Sequence, residues 1–176
     1  MKYHDIPNTV ASAAKVLVRH KVDIFNVHAT GGFEMINMTA KAIKEESEKL
    51  GIARPKLLAV TVLTSLDDKD LKSLKIDMKS EDYVIHLAKL SKEAGADGVV
   101  CSPNEVEMIK EELGKDFITL TPGIRPTWAV KGDQKRVMTP SQAMKSGVDY
   151  IVVGRPIRNA ENRVEAAKKI LKEMSE

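Results

Sequence analysis

Lys2 and Asp5, in Lys2-Tyr3-His4-Asp5-Ile6-Pro7-Asn8-Thr9, set an ammonium group three positions ahead of a carboxylate. A lysine that nearby carboxylates keep protonated can deliver a proton to a developing carbanion. A carboxylate beside it repels a substrate carboxylate more than the transition state that loses it. Lys2 and Asp5 supply half of such a scheme, although a Lys-x-x-Asp pair taken alone is more often a solvated surface pair. Near the other end, the run Val152-Val153-Gly154-Arg155-Pro156-Ile157 closes a β-branched stretch with a glycine, which lets backbone amides approach a ligand. The arginine after it suits bidentate contact with an anion. On these residues a phosphate site and a tight turn with a surface arginine weigh equally. Between the two segments lies Thr121-Pro122-Gly123-Ile124-Arg125-Pro126, leading into Lys131-Gly132-Asp133-Gln134-Lys135-Arg136. Two prolines stiffen its entry, and the polar remainder could fold over a bound anion with Gln134 donating through its amide, or simply stay solvated. Trp128 reads as a packing anchor for it.

These groups need a frame. Short β-branched runs at Asp23–His28, Leu57–Leu63, Gly98–Cys101, Phe117–Thr121 and Tyr150–Val153 predict five strands, with a strand stub at Lys2. Amphipathic stretches alternate with them. Val10, Ala13, Ala14, Leu17 and Val18 make one apolar helical stripe, and further helices are expected over Glu34–Leu50, Glu81–Ala94 and Ala160–Met174. One junction recurs: Ala94-Gly95-Ala96-Asp97-Gly98-Val99-Val100 resembles Ser146-Gly147-Val148-Asp149-Tyr150-Ile151-Val152, a glycine helix stop feeding a hydrophobic strand. Strict alternation implies a parallel sheet, since each parallel return needs a crossover helix. An open doubly wound sheet and a closed barrel both satisfy that. Polar and glycine-rich groups cluster just after the strands, which favours the α/β class with a (β/α)8 TIM-type barrel. A full barrel takes about 250 residues, so the expectation is an incomplete one, missing roughly the first two to three strands, in a single partial domain over 1–176.

Composition narrows the function classes. The charged residues are interleaved in sign around a net +3, and no apolar run is long enough to span a bilayer, so neither nucleic acid nor membrane is an expected partner. The start of the chain lacks a secretory pattern and a single cysteine, Cys101, builds no disulfide framework, which makes the cytoplasm the expected location. Cys101 reads as a small buried residue rather than a nucleophile. His28 ends a strand and could serve as a general acid, but a hydrogen-bonded structural role is favoured; His4, His20 and His86 read as structural. No spacing of His, Cys or carboxylates suggests a metal site.

Taken together, three ordered segments resemble the orotidine 5′-phosphate decarboxylase family. Its Asp-x-Lys-x-x-Asp-Ile-Pro-x-Thr signature is met by Lys2, Asp5, Ile6, Pro7 and Thr9. Its Pro-Gly-Ile-Arg-Pro segment is met by Pro122 to Pro126, and its Val-Gly-Arg-Pro-Ile segment by Val153 to Ile157. The resemblance implies a (β/α)8 barrel working as a cytoplasmic homodimer in pyrimidine synthesis, converting orotidine 5′-monophosphate to uridine 5′-monophosphate and carbon dioxide without a cofactor. It implies that Lys2 protonates C6 of the pyrimidine, with Asp5 and Thr9 lent across the dimer interface. It further implies that Thr64 contacts substrate, Pro122 packs on the base, and Arg125, Gln134, Gly154 and Arg155 bind the nucleotide, Gln134 from a closing loop and Arg155 at phosphate.

The signature's first aspartate would fall just ahead of Met1, and the family's first two strands, which supply an aspartate and a lysine to the ribose and the charge network, have no counterpart here. The expectation is therefore little or no turnover by the isolated chain, with self-association at an unpaired sheet edge. A nucleotide-phosphate-binding remnant without turnover and a related sugar-phosphate decarboxylase or synthase are the alternatives.

Overall fold

The computed structural model describes residues 1–129 and 137–176. In chain order the elements are β1 (Lys2–Tyr3), α1 (Pro7–Arg19), β2 (Ile24–His28), α2 (Gly32–Leu50), β3 (Lys56–Val60), α3 (Asp68–Ser73) and α4 (Ser80–Glu93). They continue as β4 (Gly98–Val100), α5 (Val106–Leu113), β5 (Ile118–Thr121), α6 (Pro140–Lys145), β6 (Tyr150–Ile151), α7 (Arg155–Arg158) and α8 (Arg163–Met174). The long periodic segments become helices where the sequence predicts them: α1 opens with a proline and buries Val10, Ala14 and Val18, and α2 stops where Gly51 turns left-handed at φ 64°. The predicted helix from Ala160 starts three residues later, at Arg163. A short turn, α7, follows Gly154, and α8 starts at Arg163, where the Asn162 side chain accepts a hydrogen bond from the Glu165 amide at 3.1 Å. Three short helical segments escape the periodicity reading, yet each begins at a reciprocal cap visible in sequence: Asp67 with Asp70, Ser102 with Glu105, and Thr139 with Gln142.

The strands pair in parallel and in sequential order from β1 to β6. The stub at Lys2 is thus a paired strand, with Lys2 beside Asn26. A doubly wound sheet reverses its strand order and carries helices on both faces; this sheet does neither. Phe25, Val27, Leu57, Ala59, Val99 and Cys101 pack with helix residues such as Ala14, Ile36 and Ile109 in one large core. The opposite face holds a smaller cluster drawn from strands alone, Leu58, Val60 and Val100 with Ile24, Ile118 and Leu120 against it. Helices outside and side chains from alternate strand positions inside are the layering of a barrel wall.

The repeated α-to-β junction has a structural reason. Lys21, Gly95 and Gly147 all take left-handed backbone, at φ 55°, 93° and 83°. The apolar residue after each, Val22, Ala96 or Val148, donates its amide back to the helix, and an aspartate follows to start an even-numbered strand. Asp97 accepts from the Leu57 amide and from Arg54, both at 2.7 Å. Asp149 accepts from the Thr119 amide and from Lys110, both at 2.7 Å, and from the Thr119 hydroxyl at 3.0 Å. Each carboxylate therefore ties the amino end of its own strand to the strand before it and to one cation. Glycine at the next position is required at Gly98, where a Cβ would be driven into the Ile118 carbonyl group, whose carbon lies 2.7 Å away.

Burial by itself would raise the Asp149 carboxyl, but the bonds from Lys110 and Thr119 outweigh it and hold the group below the ordinary aspartate range. A carboxyl depressed on folding contributes stability that is complete above the ordinary value of about 3.9 and lost as pH falls through the lower folded value. Asp149→Asn is expected to lower stability at neutral pH by about 1–2 kcal/mol, discounted for a carboxylate still partly open to solvent, and to flatten the loss at acid pH. Urea midpoints of parent and variant at neutral and acid pH measure both effects, and parallel pH profiles would refute the assignment.

Candidate functional site

Parallel strands present their carboxyl ends on one side, opposite the aspartate clamps. A cavity of about 220 Å³ opens there. Its walls come from the residues that end or follow three strands: Val60, Val62, Thr64 and Ser65 after β3, Val100 and Cys101 at β4, and Pro122 after β5. Lys2 of β1 lines it as well. In a flat sheet β1 and β5 would lie about 19 Å apart, four strand spacings. A lysine and a proline from those two strands share a cavity because the sheet curves round it.

Register decides which side chains face in. One row across the sheet is Lys2, Asn26, Leu58, Gly98 and Ile118, and the next is His28, Val60, Val100, Leu120 and Tyr150. Lys2, Asn26 and His28 therefore share the face of the small inner cluster. The His4 ring stacks on His28 with centroids 5.4 Å apart and planes 30° from parallel. Burial, then the charges of His4 and Lys2, lower the basicity of His28. The walls supplied by β3 to β5 carry no charge, which leaves Lys2 as the charged group lining the cavity among the described residues.

Among the residues singled out in sequence, Lys2, Thr64 and Pro122 come together at this cavity. Thr64 is buried and Lys2 exposed. Asp5 and Thr9 are exposed outside it, and Asp5 accepts from the Ile6 amide at 2.7 Å. Arg125 is buried in a separate cleft with Met138, Thr139 and Gln142, its guanidinium donating to the Ile124 carbonyl at 2.8 Å. Gly154 and the half-buried Arg155 open α7 at the same end of the sheet without lining the Lys2 cavity. A Cβ added at Gly154 would meet nothing among the described residues within 4 Å. Gln134 lies outside the described residues. Trp128 is 46% exposed beside Lys169 and Lys172 rather than anchored in a core.

Cys101 is buried as expected and also lines the cavity. Asn26 went unnoticed in the sequence, where it sits inside an apolar strand run; period two, carried across the register from Lys2, is the signal that picks it out. Among the described residues no three His, Cys, Asp or Glu side chains group as metal ligands, and no helix is long and apolar enough to cross a membrane.

A histidine whose basicity falls on folding leaves the unfolded chain to bind the extra proton, so stability drops as pH descends through the ordinary histidine range near about 6.5. His28→Phe keeps a ring against His4 and removes the titration. Its urea midpoint is expected to change less than the parent's between about pH 7.5 and about pH 5.5; an unchanged difference would count against the lowered basicity of His28.

Comparison with known proteins fits this geometry. The model of the orotidine 5′-phosphate decarboxylase / HUMPS family matches residues 1–170. The chain is 50% identical over 174 residues to an orotidine 5′-phosphate decarboxylase of Geobacter sp. (strain M21), covering 99% of this chain and 72% of that one. It is 49% identical over 179 residues to that of Syntrophomonas wolfei, covering 100% and 74%. The crystal structure of orotidine 5′-phosphate decarboxylase from Lactobacillus acidophilus superposes with a TM-score of 0.85 at 41% identity, over 100% of this chain and 74% of the other. The enzyme from Pyrococcus horikoshii superposes at 0.69 and 26% identity, over 99% and 71%. The chain belongs to the orotidine 5′-phosphate decarboxylase / HUMPS family.

Proposed function

We propose that this family member decarboxylates orotidine 5′-monophosphate to uridine 5′-monophosphate and carbon dioxide in pyrimidine biosynthesis. The observation that carries the reading is half identity to enzymes of that name along nearly the whole chain, combined with a cavity at the strands' carboxyl ends that holds Lys2.

In this reading the pyrimidine enters the cavity and packs on Pro122, with the Thr64 hydroxyl as its hydrogen-bonding neighbour. The bond from C6 to the carboxylate breaks, carbon dioxide departs, and the electron pair stays on C6. The Lys2 ammonium gives that carbon a proton and recovers one from water. Val60, Val62 and Val100 make the walls beside the base apolar, which strengthens the pull of the ammonium on the developing carbanion. The phosphate is held outside the cavity by the Arg155 guanidinium and the backbone at Gly154, and Arg125 and Gln134 complete the nucleotide contacts. Binding energy from that remote anion holds the base in place for the chemistry. Asp5 and Thr9, exposed beside β1, serve the neighbouring subunit of a cytoplasmic homodimer.

Two variants separate the halves of this scheme. Lys2→Ala is expected to abolish decarboxylation while uridine 5′-monophosphate still binds within a few fold of the parent. Gly154→Ala, whose new methyl meets no described protein atom, is expected to leave the thermal midpoint unchanged and weaken uridine 5′-monophosphate at least about tenfold by occupying the space the phosphate needs. Calorimetric titration with the nucleotide and a spectrophotometric assay of orotidine 5′-monophosphate read both. Turnover surviving in Lys2→Ala would remove the assigned proton donor, and a chain that neither binds nor turns over these nucleotides would sink the reading.

A further inference from the structure

We infer that Asn26 is a positioning residue for Lys2, its carboxamide oxygen accepting a hydrogen bond from the Lys2 ammonium and so setting the direction in which that group faces the cavity. The two residues are register partners on adjacent parallel strands. Register partners point to the same face about 5 Å apart, within easy reach of a lysine side chain. The Asn26 Oδ1 atom is buried and has no hydrogen-bond partner. A buried acceptor without a donor is costly and uncommon, so its position asks for a donor. Lys2, for its part, makes no hydrogen bond or ion pair among the described residues. A buried acceptor without a donor and an exposed triple donor without a described protein acceptor thus occupy neighbouring places on the same face of the sheet.

The surroundings leave the ammonium no better acceptor within the cavity. Apart from Lys2 its walls are valine, leucine, proline and cysteine, with the neutral hydroxyls of Thr64 and Ser65 among them. On the far side of Asn26 along β2, His28 is covered by the His4 ring, which closes that direction. With one N–H of the ammonium bound to Asn26, rotation about the terminal bond is restricted and the remaining two protons project towards the space where the base would lie. Asn26 touches no reacting atom in this arrangement; it acts through Lys2.

The proposal rests on Lys2 being the proton donor, but its test uses no nucleotide and no turnover, so the two can fail separately. Acetic anhydride reacts with an unprotonated amine, and an acceptor that stabilises the ammonium lowers the reactive fraction. Under limiting reagent near neutral pH, acetylation of Lys2 is read by tandem mass spectrometry, with Lys41, exposed on α2, as the internal standard. Asn26→Leu is expected to raise the Lys2 rate about tenfold relative to Lys41, the loss of one hydrogen bond to a charged group. Asn26→Asp, which keeps an acceptor oxygen in place and adds charge, is expected to lower it below the parent's by a similar factor. Should the leucine variant lose the parent's cooperative melt, the aspartate variant decides alone. A Lys2 rate in Asn26→Asp equal to the parent's overturns the proposal.

Discussion

Everything at the candidate site depends on register at the other end of the strands. Asp97 grips the Leu57 amide and Asp149 the Thr119 amide, each carboxylate also neutralised by one cation, Arg54 or Lys110. In a parallel sheet a slip of one residue would send every inward side chain outward. The clamps oppose that slip between β3 and β4 and between β5 and β6, where those strands begin, and so hold the rows those strands carry towards the cavity. Ion pairs of partly exposed carboxylates are weak sources of net stability. Here three donors converge on the Asp149 carboxylate, which suits it to specify a pairing rather than merely to strengthen it.

The inner face is divided in its chemistry. β1 and β2 contribute Lys2, Asn26 and His28, while β3 and β4 contribute Leu58, Val60 and Val100. A cation is thereby set against an apolar wall, an arrangement that raises the strength of any electrostatic contact made there. The cost of a charge in such a place is met in part because Lys2 stays open to solvent and in part because burial lowers the basicity of the neighbouring His28. Family membership and this local arrangement both support the proposed role of Lys2 as proton donor.

The long elements were legible because their signals are local. Apolar stripes in α1, α2 and α4, helix-stopping glycines and β-branched runs predicted the alternation, and the boundaries moved by only a few residues. α3, α5 and α6 were missed because six to eight residues carry too little periodicity, although the reciprocal caps before them were there to be read. The later start of the last helix turned on one side chain, Asn162, which caps it, and the four residues of α7 were too few to show a period. The recurring Gly-x-Asp step was visible as a pattern, whereas its meaning, a carboxylate reaching sideways to a neighbouring strand, was not.

The sequence by itself determined the residue types at the site, their order along the chain and the family they imply, because motifs and periodicities are properties of neighbours in the chain. Only the tertiary structure decided which of them meet. Sheet curvature brings Lys2 to Thr64 across two strand spacings and to Pro122 across four. The same packing turns Arg125 into a different cleft against α6. It also sets Asn26, unremarkable in its apolar run, beside the lysine. Those choices follow from strand register and long-range packing, whose energy is shared among residues far apart in sequence, so no stretch of the chain carries them alone.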